Sequence, residues 1–256
     1  MKLFFRQTGE TGPAIVILHG LFGSSDNWLT NSKAIAAKGY RVFLLDQRNH
    51  GQSPRADDQD YQSMAADLRE FLTDHSLDKP MLVGHSMGGK TVMQYAMSYP
   101  GTFEKLVVVD IAPKFYPIHH AEIIRGLKAI NLLGIKGRNE ADAVLQAYEP
   151  ILAVRQFLLK NLYRNEQGVF DWRINIPVIE RELHGIGEQL TNPVIVPTPT
   201  LFIRGSESPY ITDEDLPEIK RFFPNSRVQT IQGAGHWVQA EKPVEFVDSL
   251  MTFINS

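Results

Sequence analysis

The chain of 256 residues contains no cysteine. That absence excludes disulfide bonds, thiolate metal sites and cysteine nucleophiles. The eight histidines do not fall at metal-ligand spacings such as His-x-x-x-His, and the sequence has no phosphate-binding Walker loop and no Gly-x-Gly-x-x-Gly after a strand pattern. We therefore expect neither a metal nor a cofactor.

A strong net charge and a long apolar run are also missing. The net charge of −3 gives no broad electrostatic case for binding nucleic acid or an anionic membrane. No apolar run approaches the roughly 20 residues of a membrane span, and Arg6, Gly9 and Glu10 interrupt the apolar N-terminal stretch, unlike a signal peptide. The sequence predicts a cytoplasmic protein, and it leaves the oligomeric state open.

Short apolar runs alternate with helical patterns along most of the chain. Runs without internal alternation predict strands that are buried on both faces, as in a parallel sheet. The predicted strands are 3–7, 14–18, 41–45, 80–83, 106–109, 200–203 and 228–231. The helices predicted between and after them are 61–72, 91–99 and 243–254. Alternating strands and helices indicate one α/β domain with right-handed crossovers.

This alternation stops after Asp110 and returns at Thr200. Between residues 114 and 190 the sequence has no convincing buried strand. It has four helical patterns instead, at 121–133, 140–148, 150–163 and 178–184. We predict a core of residues 1–113 and 191–256 with a helical lid insertion at 114–190. Such an insertion covers the carboxyl ends of the strands, where open α/β sheets bind ligands.

One pentapeptide has the pattern of a nucleophile elbow. Gly84-His85-Ser86-Met87-Gly88 follows an apolar run and precedes a helical pattern, so a strand, a tight turn and a helix would present the Ser86 hydroxyl at the apex. Glycines on both sides allow the strand and helix to approach closely. The competing interpretation is a Gly-rich turn with a capping serine, which the flanking strand and helix disfavour.

A serine hydroxyl needs a base to accept its proton and an acid to orient that base. His236 follows the last predicted strand, and the chain order serine, acid, histidine is known for nucleophile elbows. Asp110 ends an apolar strand, where an unpaired carboxylate would be costly. We therefore predict Asp110 as the acid and Glu207 as the less favoured alternative. Ser208 stands where the acid would otherwise fall and is a possible fourth member.

Acyl transfer also needs donors for the developing oxyanion. The backbone N–H of Met87, directly after the serine, is one candidate. The loop after the second predicted strand offers Leu21 as the other, with Phe22 as the fallback. We predict that the insertion supplies an apolar acyl site. Its predicted lining includes Phe115, Ile123, Phe157, Leu158 and Trp237, and Phe22 is a further predicted substrate-binding residue. The basic residues offered for a phosphorylated headgroup are Lys114, Arg125 and Lys128.

With these motifs in place, the chain resembles the α/β-hydrolases, and more closely the YbfF-type bacterial esterases and their mammalian hydrolase-domain relatives. The segments that carry the resemblance are His19–Ser24, Asp46–Pro54, Gly84–Lys90, Asp110–Pro113, Ser208–Tyr210 and Gly233–Val238, with Gln156–Lys160 and Trp172–Val178 in the insertion. The resemblance implies a serine esterase or thioesterase acting on acyl esters, including acyl-CoA-type thioesters. It also implies an acid after the earlier strand, as at Asp110, and a network role for Ser208.

We expect an ester or thioester hydrolase whose partner is a small-molecule acyl substrate. A ligand-binding protein on a hydrolase scaffold is the alternative from another class, because fold alone does not secure function. A hydrolase of a carbon–carbon, lactone or amide bond would use the same triad. The insertion would discriminate among these, and its sequence does not identify the substrate.

Overall fold

The computed structural model describes residues 1–117, 120–190 and 194–256. Nine strands are present in these ranges: β1 (Phe5–Thr8), β2 (Ala14–Leu18), β3 (Arg41–Leu45), β4 (Met81–His85), β5 (Leu106–Val109), β6 (Leu162–Arg164), β7 (Phe170–Trp172), β8 (Thr200–Gly205) and β9 (Ser226–Ile231). Seven of them form one sheet in the order β1-β3-β2-β4-β5-β8-β9. Only β1 runs antiparallel to its neighbour, so the predicted mostly parallel sheet is confirmed.

Ten α-helices accompany the strands in the described ranges. They are α1 (Leu29–Ala36), α2 (Tyr61–Asp74), α3 (Met87–Ser98), α4 (Ala121–Ala129), α5 (Arg138–Leu145), α6 (Leu152–Leu159), α7 (Ile176–Gly187), α8 (Leu216–Phe222), α9 (Val238–Glu241) and α10 (Pro243–Ile254). Across the described part of the chain, none has the length and hydrophobicity needed to cross a membrane.

The apolar runs of the central strands are buried on both faces. Along β2, Val16 and Leu18 join one core cluster, whereas Ile15 and Ile17 join the other. Helices α2 and α3 cover the first face, and α1 and α10 cover the second. This two-sided burial explains why the strands lack the polar alternation of a half-exposed sheet.

Helices α4 to α7 lie between β5 and β8 in the chain. The structure corrects one prediction there, because β6 and β7 form a short antiparallel hairpin that buries Leu162, Phe170 and Trp172. Helix α6 accordingly ends at Leu159 and does not continue to residue 163. The division into a core and an insertion at 114–190 stays a prediction, and its boundary residue 191 lies outside the described residues.

A tight turn joins β4 to α3 and carries Ser86 at φ 54° and ψ −119°. This backbone conformation is strained for a residue with a side chain. A Cβ on Gly84 would lie 2.1 Å from the Gly88 carbonyl oxygen, and a Cβ on Gly88 would lie 2.5 Å from the Leu18 carbonyl oxygen. Both glycines are therefore required for the close approach of strand and helix that exposes the serine.

We expect Gly84→Ala to lower the free energy of unfolding by about 2 kcal/mol or more, because the added methyl group overlaps a backbone carbonyl. Gly185→Ala is the matched control, since a Cβ there meets nothing within 4 Å. In helix α7 it should be neutral or stabilising by up to about 1 kcal/mol. Urea denaturation of both variants measures the difference, and equal effects would contradict the steric account.

Candidate active site

Polar residues follow several parallel strands at the same edge of the sheet. His19 follows β2, Asp46 follows β3, Ser86 follows β4 and Asp110 follows β5. Parallel strands place their carboxyl ends together, so the topology brings these side chains to one region. Asp46 has a local partner set, because its carboxylate accepts hydrogen bonds from the backbone N–H groups of Ser25 and Gln52.

The Asp110 carboxylate is fully buried and has three hydrogen-bond donors. Its Oδ1 accepts from the Gly205 N–H at 3.2 Å. Its Oδ2 accepts from the Ser208 hydroxyl and lies 2.8 Å from His236 Nδ1. These donors offset the cost of burying the charge. Glu207, the alternative acid, is exposed to solvent.

The His236 ring is held by contacts on several sides. Asp110 bonds its Nδ1, and the Tyr210 ring stacks on it at a centroid distance of 3.9 Å and an interplanar angle of 20°. His85 Nε2–H donates to the His236 backbone carbonyl at 2.8 Å. His85, which directly precedes Ser86, therefore supports the loop that carries the histidine. The stacking role of Tyr210 was not predicted, although Tyr210 belongs to the Ser208–Tyr210 segment that carries the family resemblance.

Ser86 and His236 line the same cavity. Within the described residues there is no hydrogen bond between the serine hydroxyl and the imidazole. Such contacts are often looser in a site without substrate and tighten when the substrate binds. The structure thus brings serine, histidine and aspartate to one site, with the histidine–aspartate contact already made.

The loop after β2 distinguishes the two candidate oxyanion donors. The Phe22 N–H donates to His50 Nε2 at 3.2 Å and is therefore already engaged. Within the described ranges, the Leu21 N–H donates to no protein acceptor. Met87 is the first residue of α3, so its N–H has no partner within the helix. This geometry supports Leu21 and Met87 as the donors over Phe22.

Two neutral histidines brace the same loop. His19 Nδ1–H donates to the Gly20 carbonyl while its Nε2 accepts from the Gln47 N–H. His50 Nδ1–H donates to the Arg48 carbonyl, which leaves Nε2 to accept from Phe22. Burial lowers the pKa of His19 to about 4. Burial also lowers the pKa of His50 to about 3, and the repulsion that would arise if both rings were protonated adds to the effect. Both rings therefore stay neutral, as their acceptor roles require.

The cavity over Ser86 has a volume of about 540 Å³. Five of the residues predicted from sequence line it: Phe22, Ile123, Phe157, Leu158 and Trp237. Phe115 does not. Its side chain is 50% exposed and lies near His184, so the structure places it outside this cavity. An apolar residue type alone does not indicate whether a side chain faces the cavity or the solvent.

The basic residues considered for a phosphorylated headgroup are already paired outside the cavity. Lys114 bonds Asp215 and Lys128 bonds Glu180, both at 2.7 Å, and Arg125 pairs with Glu122. They therefore do not form an anion site at Ser86. His120 lines the cavity, whereas His119 lies outside the described residues. The described residues contain no cluster of side chains suited to a metal ion.

Comparison with known proteins agrees with this architecture. The family model described as the alpha/beta hydrolase fold matches residues 13–129 and 143–243. The chain belongs to the α/β-hydrolase family. It is 35% identical to esterase YbfF of Escherichia coli over the whole length of both chains, so the resemblance to YbfF-type esterases is confirmed.

Two further relatives extend this comparison. The chain is 40% identical to the sn-1-specific diacylglycerol lipase ABHD11 of Xenopus laevis, over 96% of this chain and 80% of the relative. A solved structure described as a marine microorganism esterase is 43% identical and superposes with a TM-score of 0.96, over 98% of this α/β-hydrolase and 99% of that chain.

We expect this α/β-hydrolase to lose stability as the pH falls from about 6.5 toward 4 and below. The unfolded chain binds protons at the ordinary histidine pKa of 6.5, whereas the folded chain resists protonation of His19 and His50. The contribution of these two histidines to the free energy of unfolding is therefore fully present above about pH 6.5 and is lost as the pH falls below it. The loss is on the order of 3 kcal/mol per histidine. Urea denaturation between pH 7 and 4 measures how steeply the free energy of unfolding falls with pH.

The variant His50→Gln tests the assignment, because glutamine keeps an acceptor for the Phe22 N–H but does not titrate. We expect the free energy of unfolding of this variant to fall less steeply with pH, and an unchanged slope would contradict the assignment.

Proposed function

We propose that this chain is a serine hydrolase of carboxylic esters, with Ser86 as nucleophile, His236 as general base and acid, and Asp110 as the orienting carboxylate. The observation that carries the proposal is the buried Asp110 carboxylate, 2.8 Å from Nδ1 of a histidine that shares a cavity with the strained Ser86. A protein that only binds a ligand needs none of this arrangement. The esterases and the lipase among its relatives support the same class.

In the acylation step, His236 Nε2 accepts the hydroxyl proton as Ser86 Oγ bonds to the carbonyl carbon of the ester. The carbonyl electron pair moves to its oxygen, and the Leu21 and Met87 N–H groups stabilise the resulting oxyanion. When the pair returns, the bond to the alcohol oxygen breaks, and that oxygen takes the proton from His236. The alcohol leaves, and the acyl group remains on Ser86.

Deacylation repeats these steps with water as the nucleophile. His236 accepts a proton from the water as its oxygen bonds to the acyl carbon. Collapse of the second oxyanion breaks the bond to Ser86 Oγ, which takes the proton back from His236. The carboxylic acid leaves and the free enzyme is restored. No step requires a metal or a cofactor.

Asp110 keeps a proton on His236 Nδ1, so that Nε2 faces the serine as a base, and its charge stabilises the imidazolium. Ser208 acts through Asp110 and is a positioning residue in this proposal. Its hydroxyl donates to Oδ2, the same oxygen that bonds His236. That second donor fixes the direction of the carboxylate.

The proposal covers esters more firmly than thioesters. The sequence resemblance extends to acyl-CoA-type thioesters, but the basic residues offered for such a headgroup are paired with carboxylates away from the cavity. The triad alone does not separate esters from lactones, amides or carbon–carbon bonds. Hydrolysis of simple esters therefore tests the proposal. If the enzyme hydrolysed only one of these other bonds in a Ser86-dependent reaction, that activity would replace ester hydrolysis as the proposed function.

We expect the wild-type enzyme to hydrolyse p-nitrophenyl esters in an acyl series from acetate to palmitate. Ser86→Ala should lower kcat/KM by at least about 10³-fold, because the substitution removes the nucleophile. Initial rates of p-nitrophenolate release measure the effect. Activity that survives in Ser86→Ala would contradict the mechanism, and no activity at any length would favour the binding-protein alternative.

Replacement of the two candidate acids tests the orienting role. Asp110→Asn should lower kcat by about 10⁴-fold, because the amide no longer holds the required tautomer of His236. Glu207→Gln is the matched control and should leave kcat unchanged, since Glu207 is exposed. Melting temperatures of both variants separate catalysis from folding. Equal losses of kcat in two folded variants would contradict the assignment of Asp110.

A further inference from the structure

Two cavities meet at Ser86. The larger, described above, has a volume of about 540 Å³, and a second has a volume of about 40 Å³. Both are lined by Leu21, Ser86, His120 and Tyr210. The smaller cavity continues beneath the last turn of α7, where Leu183 and Ile186 line it. A substrate bonded at Ser86 therefore has two spaces of very different size beside it.

Catalytic groups divide between these two cavities. In the described part of the chain, His236 lines the large cavity and not the small one. Met87, which supplies an oxyanion donor in the proposed mechanism, lines the small cavity and not the large one. The site is thus asymmetric about the serine hydroxyl.

The chemistry of acyl transfer, together with this asymmetry, determines how the ester lies in the two cavities. The tetrahedral carbon carries four groups: Ser86 Oγ, the oxyanion, the leaving oxygen and the acyl chain. The oxyanion points to the Leu21 and Met87 N–H groups. The leaving oxygen must come within hydrogen-bond reach of His236, which protonates it. The leaving group therefore extends along the large cavity, and the acyl chain takes the remaining direction.

We propose that the small cavity is the acyl site and the large cavity is the leaving-group site, so that the enzyme selects short acyl groups on large alcohols. This inference rests on the proposed function. It also reverses an expectation from sequence, because Phe157, Leu158 and Trp237 would contact the alcohol part of the ester.

The size of the small cavity limits the acyl group. Its volume of about 40 Å³ is roughly three times the ~10–15 Å³ that a cavity needs to hold one water molecule. It therefore admits acyl groups of about two or three carbons, such as acetyl and propionyl. Each further methylene must displace packed side chains, and a pocket typically discriminates by about 10-fold or more per methylene.

Hydrogen bonds fix the wall that sets this size. The Tyr61 hydroxyl donates to the Ile186 carbonyl at 2.7 Å, and the Tyr116 N–H donates to the Gly187 carbonyl at 2.8 Å. Lys90 Nζ, on the helix that follows Ser86, donates to the carbonyls of Gly187 and Glu188.

Lys90 is itself almost fully buried. Burial lowers the pKa of its ammonium group to about 7, and the amine donates in either protonation state. The end of α7 is therefore tied to the core beside Ser86, and we expect the small cavity to keep its volume when a substrate binds.

The test uses two isomeric esters, hexyl acetate and ethyl hexanoate, which differ in the side that carries the long chain. A pH-stat follows acid release from each. We expect kcat/KM for hexyl acetate to exceed that for ethyl hexanoate by about 10³-fold, because the hexanoyl group has three methylenes more than the propionyl group that still fits the small cavity. A preference for ethyl hexanoate would overturn the assignment.

A matched pair of variants ties the preference to the two cavities. Leu183→Ala enlarges the small cavity and should raise kcat/KM for ethyl hexanoate about 10-fold. The ratio of kcat/KM for hexyl acetate to kcat/KM for ethyl hexanoate should therefore fall. Leu158→Ala makes the same change in the large cavity and should leave the ratio in favour of hexyl acetate. If Leu158→Ala instead selectively raised ethyl hexanoate turnover, the acyl chain would occupy the large cavity.

The failure of this inference is distinguishable from failure of the proposed function. Ser86-dependent hydrolysis with the reverse preference overturns only the division of the cavities. Absence of Ser86-dependent hydrolysis of both isomers and of ethyl acetate overturns the proposed function and this inference together. Melting temperatures confirm that each alanine variant is folded. A folded Leu183→Ala variant with an unchanged ratio also counts against the acyl assignment.

Discussion

The buried carboxylate of Asp110 is the constraint on which the rest of the site depends. A charge at a fully buried position must be compensated by donors, and its donors come from Gly205, Ser208 and His236. Gly205 ends β8, Ser208 lies in the loop after it, and His236 lies in the loop after β9. The carboxylate therefore holds these two loops together. The charge that stabilises this junction is the one that would orient the histidine in the proposed reaction.

On the other side of the site, two neutral histidines hold the loop that follows β2. His19 and His50 stay neutral, and their acceptor nitrogens fix the loop that presents Leu21. The Phe22 N–H donates to His50, whereas the neighbouring Leu21 N–H is available to a substrate. Because the two rings are neutral, they position the backbone N–H groups without repelling the oxyanion.

The sequence was informative where local chemistry determines structure. Apolar runs predicted the central strands because both faces of the sheet are covered, and the glycine spacing predicted the elbow because only glycine fits beside the Gly88 carbonyl. The hairpin β6–β7 was missed because its three-residue strands have no periodicity to detect. Phe115 and Phe157 are the same residue type and both lie between β5 and β8, yet of the two it is Phe157 that lines the cavity. Tertiary packing decides that difference.

Long-range contacts were equally out of reach of sequence reasoning. From the sequence, Lys90 is simply one polar residue of a helix. In the structure it is buried, because the carbonyls of Gly187 and Glu188, about 100 residues further along the chain, accept its hydrogen bonds. The stack of Tyr210 on His236 likewise joins two loops that have no shared sequence pattern. Both contacts border the cavities at Ser86, so the features that shape the substrate site are those that depend most on the folded structure.

Covalent trapping of the nucleophile tests the central claim most directly. Diethyl p-nitrophenyl phosphate imitates the acylation step but leaves a stable phosphoserine ester. The account predicts release of one p-nitrophenolate per chain, complete loss of esterase activity, and a diethylphosphoryl group on the peptide that contains Ser86. Mass spectrometry of the digested protein locates the adduct. Esterase activity that persists after full modification of Ser86, or inactivation with the adduct on another residue, would contradict the account.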